Sequence, residues 1–218
     1  MPSRAHRREL IRSQRRSDRL LPPVVRRLVA GLDPQPPWLP RRVATVVAHD
    51  LDPDAGVGAV QVVWRPGSAR AETFTAGVER VAGTWRESGI GGSDSGTRGP
   101  RRAVGQAGQV GVIEVSASHG LRSQAQMAAH PGLPHHEAPW IGTTQLQIAA
   151  EAECLLVGDR RVPVPEHGTM LLAWTSAPTT PAARRPVVVA LTPDGTEISR
   201  LAPEEPIDSY TWALLRAA

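Results

Sequence analysis

Residues 186–202 read PVVVALTPDGTEISRLA. A β-branched run is followed by Pro193-Asp194-Gly195 and then by a segment that alternates apolar and polar residues. This is the pattern of two antiparallel strands joined by a tight turn, because Pro, Asp and Gly supply turn backbone angles and side chains on a strand alternate faces. The stretch CLLVGDRRVPV, residues 154–164, repeats the pattern around Gly158-Asp159. Outward from these hairpins, short β-branched runs bounded by Gly, Pro and Asp predict strands over 43–49, 57–64, 70–76, 78–86, 110–118, 143–151, 153–158, 161–165, 169–175, 186–192, 196–201 and 208–215. The last of these, SYTWALLRAA at 209–218, fits strand and helix equally. No segment after residue 43 sustains a 3.6-residue period, which disfavours crossover helices and a parallel sheet. The expected fold class is mainly β: an antiparallel β-sandwich or partly open barrel, preceded by a short basic helical or extended N-terminal arm. No fixed period recurs, so solenoids and propellers are unsupported.

Composition narrows the class further. With 20 Gly and 21 Pro in 218 residues, the chain stays below the ~25–30% share of a low-complexity protein. Cys154 is the single cysteine, which excludes an internal disulfide framework. No apolar run is long enough to span a membrane as a helix. All 25 basic residues are Arg, and Lys and Asn are absent. That bias reads as a GC-rich bacterial genome and weakens any claim that each Arg serves its forked donor geometry.

Charge is unevenly distributed. Residues 1–42 carry eleven Arg against Glu9, Asp18 and Asp33, a net +8, and residues 43–218 carry a net −4. The expected organisation is an Arg-rich arm with a Pro-rich connector at 1–42 and a β domain at 43–218. A flexible Gly/Ser-rich insert is expected at about 88–109 and a His-containing loop at about 119–142. In the arm, a helix over Arg4–Leu20 would place Arg4, Arg8, Arg12 and Arg16 four residues apart. Each such pair repels by roughly 0.2–0.5 kcal/mol, so the helix is expected to fray in water. Pro22-Pro23 then opens a second short turn over Val24–Gly31, and DPQPPWLP at 33–40 runs as an extended connector. The apolar stretch LLPPVVRRLVAGL is too broken by Pro and Arg for a secretory signal, and the bacterial composition argues against an organellar transit peptide, so a cytoplasmic location is expected.

Several groups invite chemical readings. His130, His135, His136 and Glu137 are zinc-ligand types, with His119, Cys154 and His167 as further donors. Their spacing matches neither HExxH nor a finger pattern, and a polar surface loop or a pH-sensitive contact accounts for them as well. Ser116 and Ser118 precede His119, but strand neighbours face opposite ways and the G-x-S-x-G elbow is missing. Cys154 in ECLLV reads as an inert buried thiol. GIGGSDSG at 89–96 lacks the ending of a phosphate-binding loop and reads as a linker. No residue is therefore assigned as catalytic. Trp64, Trp85, Trp174 and Trp212 read as core fillers. Trp38 and Trp140 lie in Pro-flanked loops, as anchors on the sheet or as partner contacts. Arg4, Arg8, Arg12, Arg15, Arg16 and Arg19 form the candidate polyanion-binding set. If about six arginines engage phosphates, log K falls with log salt at a slope near −5. Residues 1–37 hold no aromatic, so base stacking is unavailable there. The function expected is a non-enzymatic binding domain engaging a protein partner, helped by an arm that orders on contact. The alternatives are a nucleic-acid-associated protein using the same arm and a metal-dependent or hydrolytic enzyme built on His130–Glu137.

Overall fold

The computed structural model describes residues 4–93, 101–106, 108–180 and 184–217. Among them the protein is mainly β, with eleven strands in three antiparallel sheets that do not close into a barrel. The first sheet is a meander of β1 (Ala44–Asp52), β2 (Val57–Trp64), β3 (Glu72–Val81) and β4 (Thr84–Ser93). The second pairs β5 (Ile113–Arg122) with β6 (Trp140–Ile148) and β6 with β9 (Thr169–Ser176). The third runs β11-β10-β7-β8, from β7 (Cys154–Val157), β8 (Arg160–Pro163), β10 (Val188–Leu191) and β11 (Glu197–Leu201). Both hairpins read from the sequence form as expected: β7 pairs with β8 and β10 with β11.

The second sheet is the middle layer, and the two-residue alternation of β9 explains why. Leu171 and Ala173 face the first sheet and, with Ile141 of β6, cluster with its Ala48, Val57 and Ala59. Met170 and Leu172 point the other way and join Leu146, Ile148, Leu155, Val188 and Leu201 in a core shared with the third sheet. A strand buried on both faces reads as a continuous apolar run, as MLLAW does.

The basic segment departs from expectation. A single helix, α1 (Arg4–Val29), runs through Pro22 and Pro23 instead of breaking there. Interior prolines cost a helix about 3 kcal/mol or more. Here the burial of Leu21, Val24, Val25 and Leu28 against Val60, Val62, Phe74, Ala76 and Val78 of the first sheet offsets that, at roughly 1.5–3 kcal/mol per large apolar side chain. The carbonyls deprived of an amide partner belong to Asp18 and Arg19, both exposed residues, where solvent can serve them.

Other boundaries shift for local reasons. The third and fourth strands turn at Ala82-Gly83, not near residue 77, because both turn residues hold positive φ, 49° and 78°, as a two-residue type I′ hairpin requires. The fourth strand extends to Ser93, into the insert expected at 88–109; residues 94–100 and 107 of that insert lie outside the described residues. The stretch expected as a loop at 119–142 begins and ends as strand. Its centre holds α2 (Gln124–Ala129), whose N-cap Ser123 accepts from Gln126 N–H. Buried Glu79 of β3 accepts from the Ser123 hydroxyl and from Ala125 N–H, pinning α2 to the first sheet. The ambiguous C-terminal stretch is helix α3 (Ser209–Ala217). Fully buried Asp208 sets its start by accepting from Thr211 N–H at 3.0 Å, while its other oxygen accepts from Ile113 N–H at 2.9 Å and the Ser199 hydroxyl at 2.6 Å.

A second carboxylate ties all three sheets together. Buried Asp50 of β1 receives two hydrogen bonds from Arg160 of β8, at 2.7 and 3.1 Å, and one from the backbone N–H of Ala173 in β9 at 2.9 Å. Arg160 Nε reaches Asp52 at 3.0 Å. The Arg160 pKa is raised, first by its hydrogen bond to Asp50, so the guanidinium is a permanent cation among strand edges.

Candidate functional site

The feature with the largest charge is the outer face of α1. At about 100° per residue, Arg8, Arg12, Arg15, Arg19 and Arg26 fall within an arc of roughly 60°, opposite the face that carries Leu21, Val24 and Leu28. All five are exposed. The buried side of the helix fixes its rotation on the sheet, and that rotation turns the arginines outward. Arg8 to Arg26 spans about 27 Å at 1.5 Å per residue. Arg15 and Arg19 have no side-chain partner among the described residues; Arg12 lies 3.7 Å from Glu9 in an exposed pair, an arrangement of little energetic weight. Arg4 opens the helix.

Arg16 belongs to a different set. It is half-buried, pairs with Glu72 and lies over the Trp64 ring with its guanidinium 4.2 Å from the centroid, while Arg65 lies 4.3 Å from the same centroid. Cation–π contacts of this kind fasten the helix to the sheet. Of the six arginines singled out in the sequence, Arg8, Arg12, Arg15 and Arg19 stand in the outward row and Arg16 is structural; the Arg4 side chain lies outside the described residues.

The histidine group is not convergent. His130 follows α2 as its C-cap, and His135, His136 and Glu137 form one short 3-10 turn. His136 Nε2 approaches Glu137 Oε1 at 3.6 Å with both side chains exposed. Among the described residues no three His, Cys, Asp or Glu side chains are grouped to hold a metal ion. Ser118 hydrogen-bonds Thr144 at 2.9 Å, and His119 is exposed on β5. Cys154 departs from the buried thiol expected: it is half-buried, outside the core cluster, with Arg161 Nη2 3.4 Å from its sulfur.

The two loop tryptophans differ. Trp38 is 64% exposed. Trp140 is half-buried, donates its indole N–H to the Thr180 carbonyl at 3.2 Å, and is covered by Arg122 at 4.0 Å from its centroid, so it anchors β6. Trp212, expected in the core, is 41% exposed on α3.

A cleft of about 420 Å³ lies where the connector, β1 and the segment from β8 into β9 meet. Its walls are largely Val and Pro, including Val46, Val47, Val162 and Pro163, and its polar members include Arg41, His49 and His167. The sequence offers no sign of it, because His167 lies more than a hundred residues along the chain from Arg41 and His49; only His167 is considered there, and as a metal ligand. Thr169 N–H donates to His167 Nδ1 at 3.1 Å. Burial lowers the His167 pKa, against an opposing pull from Glu166. The ring is therefore neutral at pH 7, with its proton on Nε2. Comparison with family models, curated proteins and solved structures yields no match.

Proposed function

We propose that the protein is a non-enzymatic binding domain that engages an acidic protein partner through the Arg row of α1, with Trp38 as an apolar contact. The observation that carries this reading is that row: five exposed arginines on one side of a helix whose C-terminal half is seated in the core by its other side. Such a bar of positive potential attracts an anionic surface at long range and gives it an orientation. Exposed apolar groups accompany the cations: Ile11 flanks the row on α1, and Leu32 and Trp38 are exposed in the segment that follows the helix. Cations mixed with large apolar side chains suit a protein interface, where Trp and Arg dominate binding energy. A cytoplasmic setting is part of the proposal, and no described helix is long and apolar enough to cross a membrane.

One observation favours nucleic acid as a second reading. Residues 7–12 of α1 are exposed all round, and a helix about 10–12 Å across fits a major groove about 12 Å wide. Titrations with labelled poly-L-glutamate, a glutamate–leucine copolymer and duplex DNA, at about 50 and 200 mM salt, separate the two. The protein-partner reading expects the copolymer to bind tightest, with loss of binding in the Arg8→Glu, Arg12→Glu, Arg15→Glu, Arg19→Glu variant. Trp38→Ala should erase the copolymer's advantage over poly-L-glutamate. Duplex binding tighter than both polymers moves the assignment to nucleic acid. Failure of all three probes at low salt overturns both.

A further inference from the structure

The cleft between the connector, β1 and β8 carries an inference independent of the α1 row. Most of its polar groups are already engaged. Gln35 donates to the carbonyls of Leu39 and Ala44, at 2.8 and 3.3 Å, and accepts from Val46 N–H at 2.8 Å, so its amide closes part of the free edge of β1. The Thr169 hydroxyl donates to Gln147 at 3.1 Å. Asp33 accepts from Gln35 N–H at 3.0 Å. Arg41 has no partner among the described residues. His167, fixed by the Thr169 N–H on Nδ1, has only its Nε2–H left to offer.

The unengaged groups include a permanent cation and the His167 imidazole donor, set among Val and Pro walls, with the exposed His49 side chain at the same cleft. We propose that this cleft binds a small organic monocarboxylate with a compact apolar body, its carboxylate held by the Arg41 guanidinium and the His167 Nε2–H and its body against Val46, Val162 and Pro163. A guanidinium offers paired donors that match the two oxygens of a carboxylate. The volume lies within the ~300–1,000 Å³ usual for small-ligand sites. The charges around the cleft select a monoanion. Asp33 lines it beside Arg41 and Glu166 adjoins His167, so each negative charge beyond the one that Arg41 and the His167 donor engage meets repulsion, and a dianion is disfavoured relative to a monocarboxylate. His49 lines the same cleft from β1 and is exposed.

A free acid and the carboxyl end of a peptide present the same chemistry. Calorimetric titration of the full chain with 4-phenylbutanoate, with acetyl-Ala-Val ending in a free carboxylate, and with the amide of each distinguishes them. Saturable binding of either acid is expected, with the amides and the Arg41→Ala variant weaker by about tenfold or more, roughly 1.4 kcal/mol. The neighbouring Arg42→Ala, at a position that does not line the cleft, should bind as the parent does. Binding by the peptide acid alone assigns the site to a chain end, and binding by phenylbutanoate alone assigns it to a free acid. Arg41 is exposed, so its replacement leaves the fold intact; parent-like melting of both variants checks this. Absence of binding by both acids at ~10 mM, a concentration at which even millimolar sites fill, overturns the proposal. So does equal weakening by Arg41→Ala and Arg42→Ala, or amide binding as tight as that of the acids.

Discussion

Asp50 shows how a single side chain can hold three sheets. Its carboxylate is buried and takes three hydrogen bonds from two other sheets. Asp50→Ala removes two of the hydrogen bonds to Arg160, leaving Asp52 as its ion-pair partner, and leaves the edge N–H of Ala173 unpaired. Breaking a buried ion pair costs about 3–5 kcal/mol. Because the Arg160 side chain keeps 27% exposure, the lower end, about 3 kcal/mol, is expected in urea denaturation. His167 gives a pH signature of known sign. Its folded-state pKa lies below the ordinary 6.5, chiefly through burial. The unfolded chain therefore binds the proton more readily. The stabilisation is complete above the unfolded value and is lost as pH falls from there through the folded value. Melting temperature measured across that interval should drop in the parent and flatten in His167→Gln. Neither role is visible in the chain: Asp50 and Arg160 are 110 residues apart, and an aspartate in a strand carries no mark of what its carboxylate meets.

Among elements, α1 is the most instructive. Its two halves share one sequence style but different surroundings. Leu28 is buried under the first sheet at 3% exposure, and Leu10, on the same helical face, is 55% exposed. Leu28→Ala should cost about 2–5 kcal/mol, whereas Leu10→Ala should stay within about 0.5 kcal/mol, by chemical denaturation. The hairpins of the third sheet were legible because Pro193-Asp194-Gly195 and Gly158-Asp159 declare their turns. The Ala82-Gly83 turn was less legible, since alanine rarely adopts φ of 49° and carries no turn signature. Pro22-Pro23 misled in the opposite direction. Local propensity favours a break there, and only the sheet beneath Leu21 and Val24 overrides it. The switch of residues 209–217 to helix likewise depends on a distant partner, because Asp208 is held by Ile113 and Ser199 as well as capping α3.

On the scale of the molecule, layering follows from strands that are apolar on both faces, which the runs in β2 and β9 announce. The order of the layers does not follow, because nothing in a strand says which sheet covers it. The helix layer makes a prediction about truncation. Removing residues 1–20 should leave a cooperative fold, because Leu21, Val24 and Leu28 remain. Removing residues 1–42 should uncover Val60, Val62 and Phe74, and the product should bind the dye ANS or aggregate. A parent-like sharp melt of the shorter chain would count against the seating of α1.

The rigid seat of α1 also bears on the thermodynamics of any encounter. A cationic tail that must first coil up on its target pays for that ordering and buries new surface as it does so, and both leave a large negative heat-capacity change. A helix whose C-terminal half is already clamped to a sheet skips most of that step. Its complexes should form at rates set by diffusion and ionic strength, with a small heat-capacity change and little dependence on the helix-forming tendency of its outward residues.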